Sequence, residues 1–276
     1  MKCNVCNSKL IFIFTKKVLY KYDVDYFQCS NCQFIQTQSP YWLKETYKNN
    51  TLGVLDVGAV NRNVLMVEIS ERIINALFPS ASKFLDFGGG TGLFVRMMRD
   101  KGYNFYRQDK YSENIFAKYF DINDLKDFTK FDLLTAFEVF EHFENPIDEI
   151  NNMLLLSDSL LFSTELQPEN NIEDWWYFVA EEGEHISFYS IETLREISNR
   201  LNCFFFTDGS SIHFLTKRRF PIDNKKFKRI LFPLRIVVYR KLIEKLFLCK
   251  HRRQKRQSLI KKDFNYIKSK LNSSNQ

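Results

Sequence analysis

Phe84-Leu85-Asp86-Phe87-Gly88-Gly89-Gly90-Thr91-Gly92 is an apolar run broken by one acid and ending in alternating glycines. Leu93, Phe94, Val95, Met97 and Met98 follow at helical spacing. This pattern predicts a buried strand over Lys83–Phe87, a tight turn, and a helix from Leu93 to Lys101 that stops at Gly102. Glycines are needed where a Cβ would keep a nucleotide away from the backbone. A second strand-like run, Tyr103 to Gln108, leads into Asp109, about 20 residues beyond the glycines. An acid in that place can accept hydrogen bonds from ribose hydroxyls.

Outward from this unit the alternation continues. Leu65–Phe78 is amphipathic through Val67, Ile69, Ile73, Ile74 and Leu77, stops at Pro79, and predicts a covering helix. Phe131–Phe137 and Ser159–Thr164 read as strands and Ile191–Leu201 as a helix. Cys203–Thr207 and Ser211–Leu215 flank Asp208-Gly209-Ser210 as an antiparallel hairpin. Strands and helices in alternation, closed by a hairpin, predict an α/β fold with a mostly parallel sheet and one reversed strand.

Two CxxC pairs, Cys3/Cys6 and Cys29/Cys32, stand at the N-terminus with 22 residues between them. Each pair presents two thiolates to one ion, and four thiolates make a closed tetrahedral site suited to structural zinc. The partly alternating stretch between them suggests a hairpin, so the segment reads as a zinc ribbon. A redox pair or unbound buried thiols are the alternatives. Cys203 and Cys249 have no partner at useful spacing.

The 276 residues, 45% apolar and rich in phenylalanine, suffice for a real core. The organisation expected is a ribbon over 1–40, a linker and covering helix over 41–82, a core over 83–216 and a basic extension over 217–276. That extension holds 20 Lys and Arg against 3 Asp and Glu, whereas the rest holds 20 against 30. The net +7 therefore describes neither part. Its mixed apolar and basic pattern, from Ile230 to Leu248, predicts a helical tail fit for an anionic membrane surface or an assembly complex. Nucleic acid is the less favoured partner. With no secretory signal and no long apolar run, the chain is expected in the cytoplasm, with the tail at the inner membrane surface.

From Lys83 to Lys217 the chain resembles the class I S-adenosylmethionine-dependent methyltransferases. The likeness rests on Asp86-x-Gly88-x-Gly90-x-Gly92, on Asp109, on Asp121, and on Phe131-Asp132-Leu133-Leu134 followed by Glu138-Val139-Phe140-Glu141-His142. It implies a Rossmann-like, seven-stranded sheet with a reversed last strand, and methyl transfer from S-adenosylmethionine. It also implies cofactor roles by position. Gly88, Gly90 and Gly92 line the cofactor with Glu138, and Asp86 orders the loop at the methionine end. Asp109 holds the ribose, and Asp121 lies by the adenine amino group with Ile122 against the ring.

A narrower likeness lies in Trp175-Trp176-Tyr177-Phe178 and Gly183-Glu184-His185-Ile186-Ser187-Phe188-Tyr189-Ser190. These segments resemble methyltransferases found with bacterial surface-glycan and sugar-modification enzymes, some of which carry an N-terminal four-cysteine zinc domain. The resemblance implies a sugar nucleotide or glycan substrate in surface polysaccharide biosynthesis. Only Glu184-His185 matches the His-Glu-His-type segment of the C-methylating members, and their large C-terminal domain is missing. O-methylation is therefore expected, with His185 as base and Glu184 and Tyr189 orienting it or the acceptor. An RNA-modifying or RNA-binding protein with the same core is the rival. Glu138, Glu141 and His142, in an ExxEH pattern, offer a competing use: with His185 they can hold a divalent metal that polarises substrate hydroxyls.

Overall fold

The computed structural model describes residues 1–48, 55–126, 130–233, 265, 268 and 269. The tail from 234 to 264, with Cys249 and most of the expected amphipathic pattern, lies outside the described residues.

The chain opens with a hairpin of β1 (Leu10–Val18) and β2 (Tyr22–Cys29), followed by β3 (Ile35–Thr37). Helices α1 (Leu43–Lys48) and α2 (Ala59–Leu77) lead into the core. There β4 (Phe84–Phe87), α3 (Leu93–Asp100), β5 (Phe105–Gln108), β6 (Leu133–Phe137), α4 (Pro146–Leu156) and β7 (Ser159–Ser163) alternate. The two-residue β8 (Ser187–Phe188), α5 (Ile191–Arg200), β9 (Phe204–Thr207), β10 (Ile212–Thr216) and α6 (Asn224–Leu231) complete the described fold.

The core sheet runs β5-β4-β6-β7-β10-β9. β4 pairs in parallel with β5 and β6, and β6 with β7, while β10 is antiparallel to both β7 and β9. The expected reversed strand is β10. Six strands are formed among the described residues rather than the expected seven. The outermost is reduced to one parallel bridge between Arg107 and Asp121. A capping interaction explains the shortfall: the backbone N–H of Asp121 donates to Asp124 Oδ2 (2.8 Å), turning the chain into a 3₁₀ turn at Ile122–Asp124.

Strands buried on both faces read as unbroken apolar runs, and here alternate residues serve two cores. Phe84, Leu133, Leu161 and Phe214 pack with α2, α3 and α6. Leu85, Leu134, Leu160 and Leu215 pack on the other face, with α4 and α5. The four cysteines, Leu10 and Phe34 join that second core, so the N-terminal segment is built into the body of the fold. The start of the basic extension is likewise docked. Phe227 and Leu231 on α6 are fully buried, and Arg72 donates to the Leu231 carbonyl (2.7 Å).

A second, antiparallel sheet runs β1-β2-β3-β8. Its last strand comes from the core half of the chain, pairing Ile35 with Phe188 and Gln36 with Ser187. Trp42 Nε1 donates to the Gly183 carbonyl (2.8 Å), and Ser190 and Thr193 hydroxyls donate to the Cys32 carbonyl. No helix among the described residues is long and apolar enough to cross a membrane.

Candidate functional site

Parallel strands of this kind gather their ligands at their carboxyl ends. The glycine loop follows β4, Asp109 follows β5, and Glu138 follows β6. The glycines do different jobs. Gly88 (φ 68°) and Gly92 (φ 82°) hold left-handed backbone, and added Cβ atoms would strike Val139 Cγ2 at 2.6 Å and Asn114 Oδ1 at 2.7 Å. Gly89, unpredicted, is as crowded, with Asp86 Oδ2 at 2.7 Å and Arg107 Cγ at 2.8 Å. At Gly90 (φ 53°) nothing lies within 4 Å of the Cβ position, so the loop backbone is open to a ligand there. That opening fits a nucleoside cofactor.

Asp109 lies against the glycine loop. Its Oδ1 accepts from the N–H groups of Tyr111 (2.8 Å) and Ser112 (2.7 Å), and its Oδ2 from Gly90 N–H (2.9 Å). Oδ2 keeps acceptor capacity for a hydroxyl. Asp86 lies beneath the loop, 3% exposed, and its Oδ1 accepts from Thr135 Oγ1 (2.7 Å). Burial pushes its carboxyl up to about 7, so it supports the loop from inside.

Asp121 buttresses the loop: its Oδ1 accepts from Arg107 Nε (3.0 Å) and its Oδ2 from Asn114 Nδ2 (2.9 Å), and each oxygen keeps acceptor capacity. Ile122 packs against the sheet core. Arg107 is the residue that sequence reading missed. Buried to 3% exposure, it also donates to the Gly90 carbonyl (2.9 Å) and the Ser112 carbonyl (2.8 Å). The available signal was an arginine in the core register of β5, beside Phe105.

Beyond β6, Glu138 holds φ 55°, a costly backbone for a non-glycine residue that persists mainly at functional sites. Its carboxylate accepts from Ser163 Oγ (2.6 Å). A 3₁₀ turn, Phe140–His142, follows directly. Bonds from the distant 183–190 segment hold this turn, among them Ile186 N–H to the Glu141 carbonyl (2.9 Å) and Tyr189 Oη–H to the Phe140 carbonyl (2.7 Å). Glu141, His142 and His185 meet as a result, one donor atom from each lying within 4.8 Å of the others.

The chemistry of this cluster follows from its hydrogen bonds. His185 Nδ1 lies 2.7 Å from the Tyr177 carbonyl and His142 Nδ1 lies 3.2 Å from the Glu184 carbonyl. A carbonyl only accepts, so each Nδ1 carries the proton and each Nε2 presents a lone pair. Burial lowers His185 to about 3, with help from neighbouring His142, and lowers His142 to about 4. Both rings are thereby held neutral, and the His185 Nε2 lone pair is left free. Glu141 is fully buried and neither oxygen has a hydrogen-bond partner, so desolvation and then the Glu138 charge push its carboxyl well above the ordinary range. Burial likewise raises Glu184 to about 8, and its Oε1 is unpartnered.

Tyr189 is fully buried, and its hydroxyl donates to the Phe140 carbonyl, which fixes the turn. The aromatic run divides similarly. Trp175 and Phe178 pack on Phe188, and Tyr177 packs edge-on against His185 with centroids 4.7 Å apart. Trp176 alone of the four is strongly exposed, at 69%.

The four cysteines form the other cluster. Cys3 and Cys32 sulfurs are 3.6 Å apart, Cys6 and Cys29 sulfurs 3.3 Å, and all four lie within 4.8 Å of one another. Metal–sulfur bonds of about 2.3 Å in a tetrahedron need sulfurs about 3.8 Å apart. Backbone N–H groups of Val5 and Asn31 point at the Cys3 and Cys29 sulfurs, both at 3.4 Å. The described cysteines are all free thiols, so the cluster can hold a zinc ion.

A family model described as a methyltransferase domain matches residues 60–203. No curated protein sequence matches the chain. Similar solved structures include the plantazolicin methyltransferase BpumL in complex with SAH, at 12% identity and TM-score 0.41, covering 66% of this chain and 92% of that one. The bifunctional kinase-methyltransferase WbdD is 18% identical with TM-score 0.39, covering 59% of this chain and 40% of that one. The mitomycin 7-O-methyltransferase MmcR is 13% identical with TM-score 0.42, covering 64% and 60%. Likenesses this distant say nothing of the acceptor. The family match spans over half of the chain, including the glycine loop, Asp109 and the Glu141–His142 turn. The chain belongs to the methyltransferase-domain family and is an S-adenosylmethionine-dependent methyltransferase.

Proposed function

We propose that this enzyme methylates a hydroxyl group of a sugar or glycan precursor, as in the building of a bacterial surface polysaccharide. One observation carries the reading. Buried hydrogen-bonding atoms without partners gather around the Phe140–His142 turn after β6: both Glu141 oxygens, Glu184 Oε1 and the Tyr177 hydroxyl. Buried polar atoms are normally satisfied, and a polyhydroxyl acceptor suits such a lining. Exposed Trp176 adds an aromatic face of the kind that stacks on sugar rings.

When bound, S-adenosylmethionine supplies an activated methyl group on a sulfonium. Gly90 offers it open backbone, and Asp109 offers a carboxylate oxygen for the ribose. Arg107 and Asp121 hold the loop in shape. A sugar hydroxyl is a weak acid, so loss of its proton needs help. We assign that help to the cluster containing His185, with its free Nε2 lone pair, and to Glu184 beside it. The ribbon cysteines hold structural zinc, since four thiolates leave no position for a substrate.

The test is turnover with labelled cofactor on a panel of nucleoside-diphosphate sugars and glycan fragments. The product should carry an O-methyl group. His185→Ala should keep cofactor affinity and lose about a hundred- to ten-thousandfold in rate, the usual range for removing proton-transfer assistance. Turnover within tenfold of wild type, or methyl transfer to RNA and to no sugar, would overturn the reading.

A further inference from the structure

We propose that Glu141, His142 and His185 bind one divalent transition-metal ion, at a site separate from the four cysteines. The donor atoms lie within 4.8 Å of one another, close enough to share one ion. Both imidazoles are already oriented for it. Each donates its Nδ1–H to a backbone carbonyl, His142 to Glu184 and His185 to Tyr177, which leaves both Nε2 lone pairs. A ring N–H tied to a carbonyl is the arrangement that fixes metal-bound histidines.

The carboxylate is the stronger argument. Glu141 is wholly buried and no donor meets hydrogen-bond geometry at either oxygen; the Tyr177 hydroxyl beside it favours the charged form, but less than burial opposes it. An unpartnered buried carboxylate is costly, and a cation is the partner that two neutral imidazoles and one acid share best. Arg62, the cation near enough to influence Glu141, is already committed to Asp56 through two nitrogens, at 2.9 and 2.5 Å. Of the set expected from the ExxEH pattern with His185, Glu138 is held by Ser163, and Glu141, His142 and His185 come together.

Two nitrogens and one oxygen suit zinc, iron, manganese or cobalt better than magnesium or calcium. Three protein ligands leave positions open, and His142, with a side chain 24% exposed, lies on the accessible side. An ion there would lower the pKa of a hydroxyl oxygen bound to it, which is the help the acceptor needs. That consequence rests on the hydroxyl acceptor proposed above, whereas the metal site itself does not.

The experiment is a manganese titration of the full chain with its ribbon metal retained, read by the paramagnetic resonance signal of free Mn²⁺. One Mn²⁺ should bind per chain, at least tenfold more weakly in Glu141→Gln and in His185→Gln. Cobalt at the same site should show weak d–d bands without thiolate charge transfer. Glu141→Gln is nearly isosteric, and thermal unfolding without manganese checks its fold. If it unfolds, His185→Gln carries the comparison. No manganese bound beyond the ribbon metal, or undiminished binding in the folded variants, would overturn the proposal. Manganese bound as stated but no methylated sugar hydroxyl would leave the site standing and remove the acceptor reading.

Discussion

The four-cysteine cluster and the Glu141–His142–His185 cluster border the same four-stranded sheet, with Cys29 ending β2 and His185 just ahead of β8. They differ in what they leave for a ligand. The four sulfurs are all buried, and as thiolates they would saturate a tetrahedral ion. The second cluster has one buried carboxylate and two imidazoles on its open side, so an ion there keeps vacant positions. One can only hold structure, while the other can also act on a substrate. The sheet joins them, because β8 pairs with β3 and the hydroxyls of Ser190 and Thr193 bond the Cys32 carbonyl.

If the ribbon positions the second cluster, removing its metal has the largest effect of any change considered. Structural zinc in small ribbons contributes on the order of 10 kcal/mol to folding. Cys32→Ser should therefore lose the ribbon metal and unfold β1 to β3. Without β3, β8 loses its neighbour, and manganese binding at the second cluster should weaken at least tenfold. Hydrogen exchange at Ser187 and Phe188 and a manganese titration read the two halves of this prediction. Unchanged exchange and unchanged affinity would show that the clusters are independent.

The same contrast explains what could be read in advance. The cysteine ligands come in pairs three residues apart, so their spacing alone announces the site. The ExxEH pattern with His185 already offered the three as ligands, but His185 comes 43 positions after His142, and nothing local says that the turns meet. What brings them together is a backbone bond from Ile186 to Glu141 and a two-residue strand, both too small to leave a hydrophobic pattern. The glycine loop and the reversed β10 were legible because each follows from periodicity over several residues. Arg107 was not, because its role comes from three partners at Gly90, Ser112 and Asp121 that only the fold collects. The seventh strand was expected from family likeness, and the capping turn after Asp121 ends it after one bridge.

A third imidazole, fully buried, sharpens the comparison by being finished. His213 is fully buried, with Nδ1 2.8 Å from Thr207 Oγ1 and Nε2 3.0 Å from the Thr164 carbonyl. Neither nitrogen is left for a ligand, so this is a structural histidine. Burial lowers it from 6.5 to about 4. The folded state therefore binds its proton more weakly than the unfolded chain does. Its stabilisation is complete above pH 6.5 and is lost as pH falls through about 4. The loss is of order 3 kcal/mol, at about 1.4 kcal/mol per pH unit. Urea unfolding of wild type and His213→Phe across this range should differ in slope by close to one proton. Equal slopes would mean that His213 titrates normally.

The smallest effect should come from the bond that anchors the start of the shared segment. Trp42 is 1% exposed, packs beneath the ribbon sheet with Tyr177 and Phe188, and donates Nε1–H to the Gly183 carbonyl at 2.8 Å. Gly183 holds φ 73°, and a Cβ there would meet Val18 Cγ1 at 2.8 Å, so the chain enters the 183–188 segment at a fixed angle. Trp42→Phe keeps an aromatic ring but removes the donor and leaves the carbonyl unpartnered. Stability should fall by about 1–3 kcal/mol, the scale for a buried group left unmet. Both clusters keep all their ligands in this variant, so ribbon metal content should stay at the wild-type level. Manganese affinity should fall by less than in Cys32→Ser, with faster exchange confined to the segment before β8. Loss of the ribbon metal in Trp42→Phe would place the weak point in the ribbon itself. Wild-type stability and exchange would show that Gly183 alone fixes the entry of the chain.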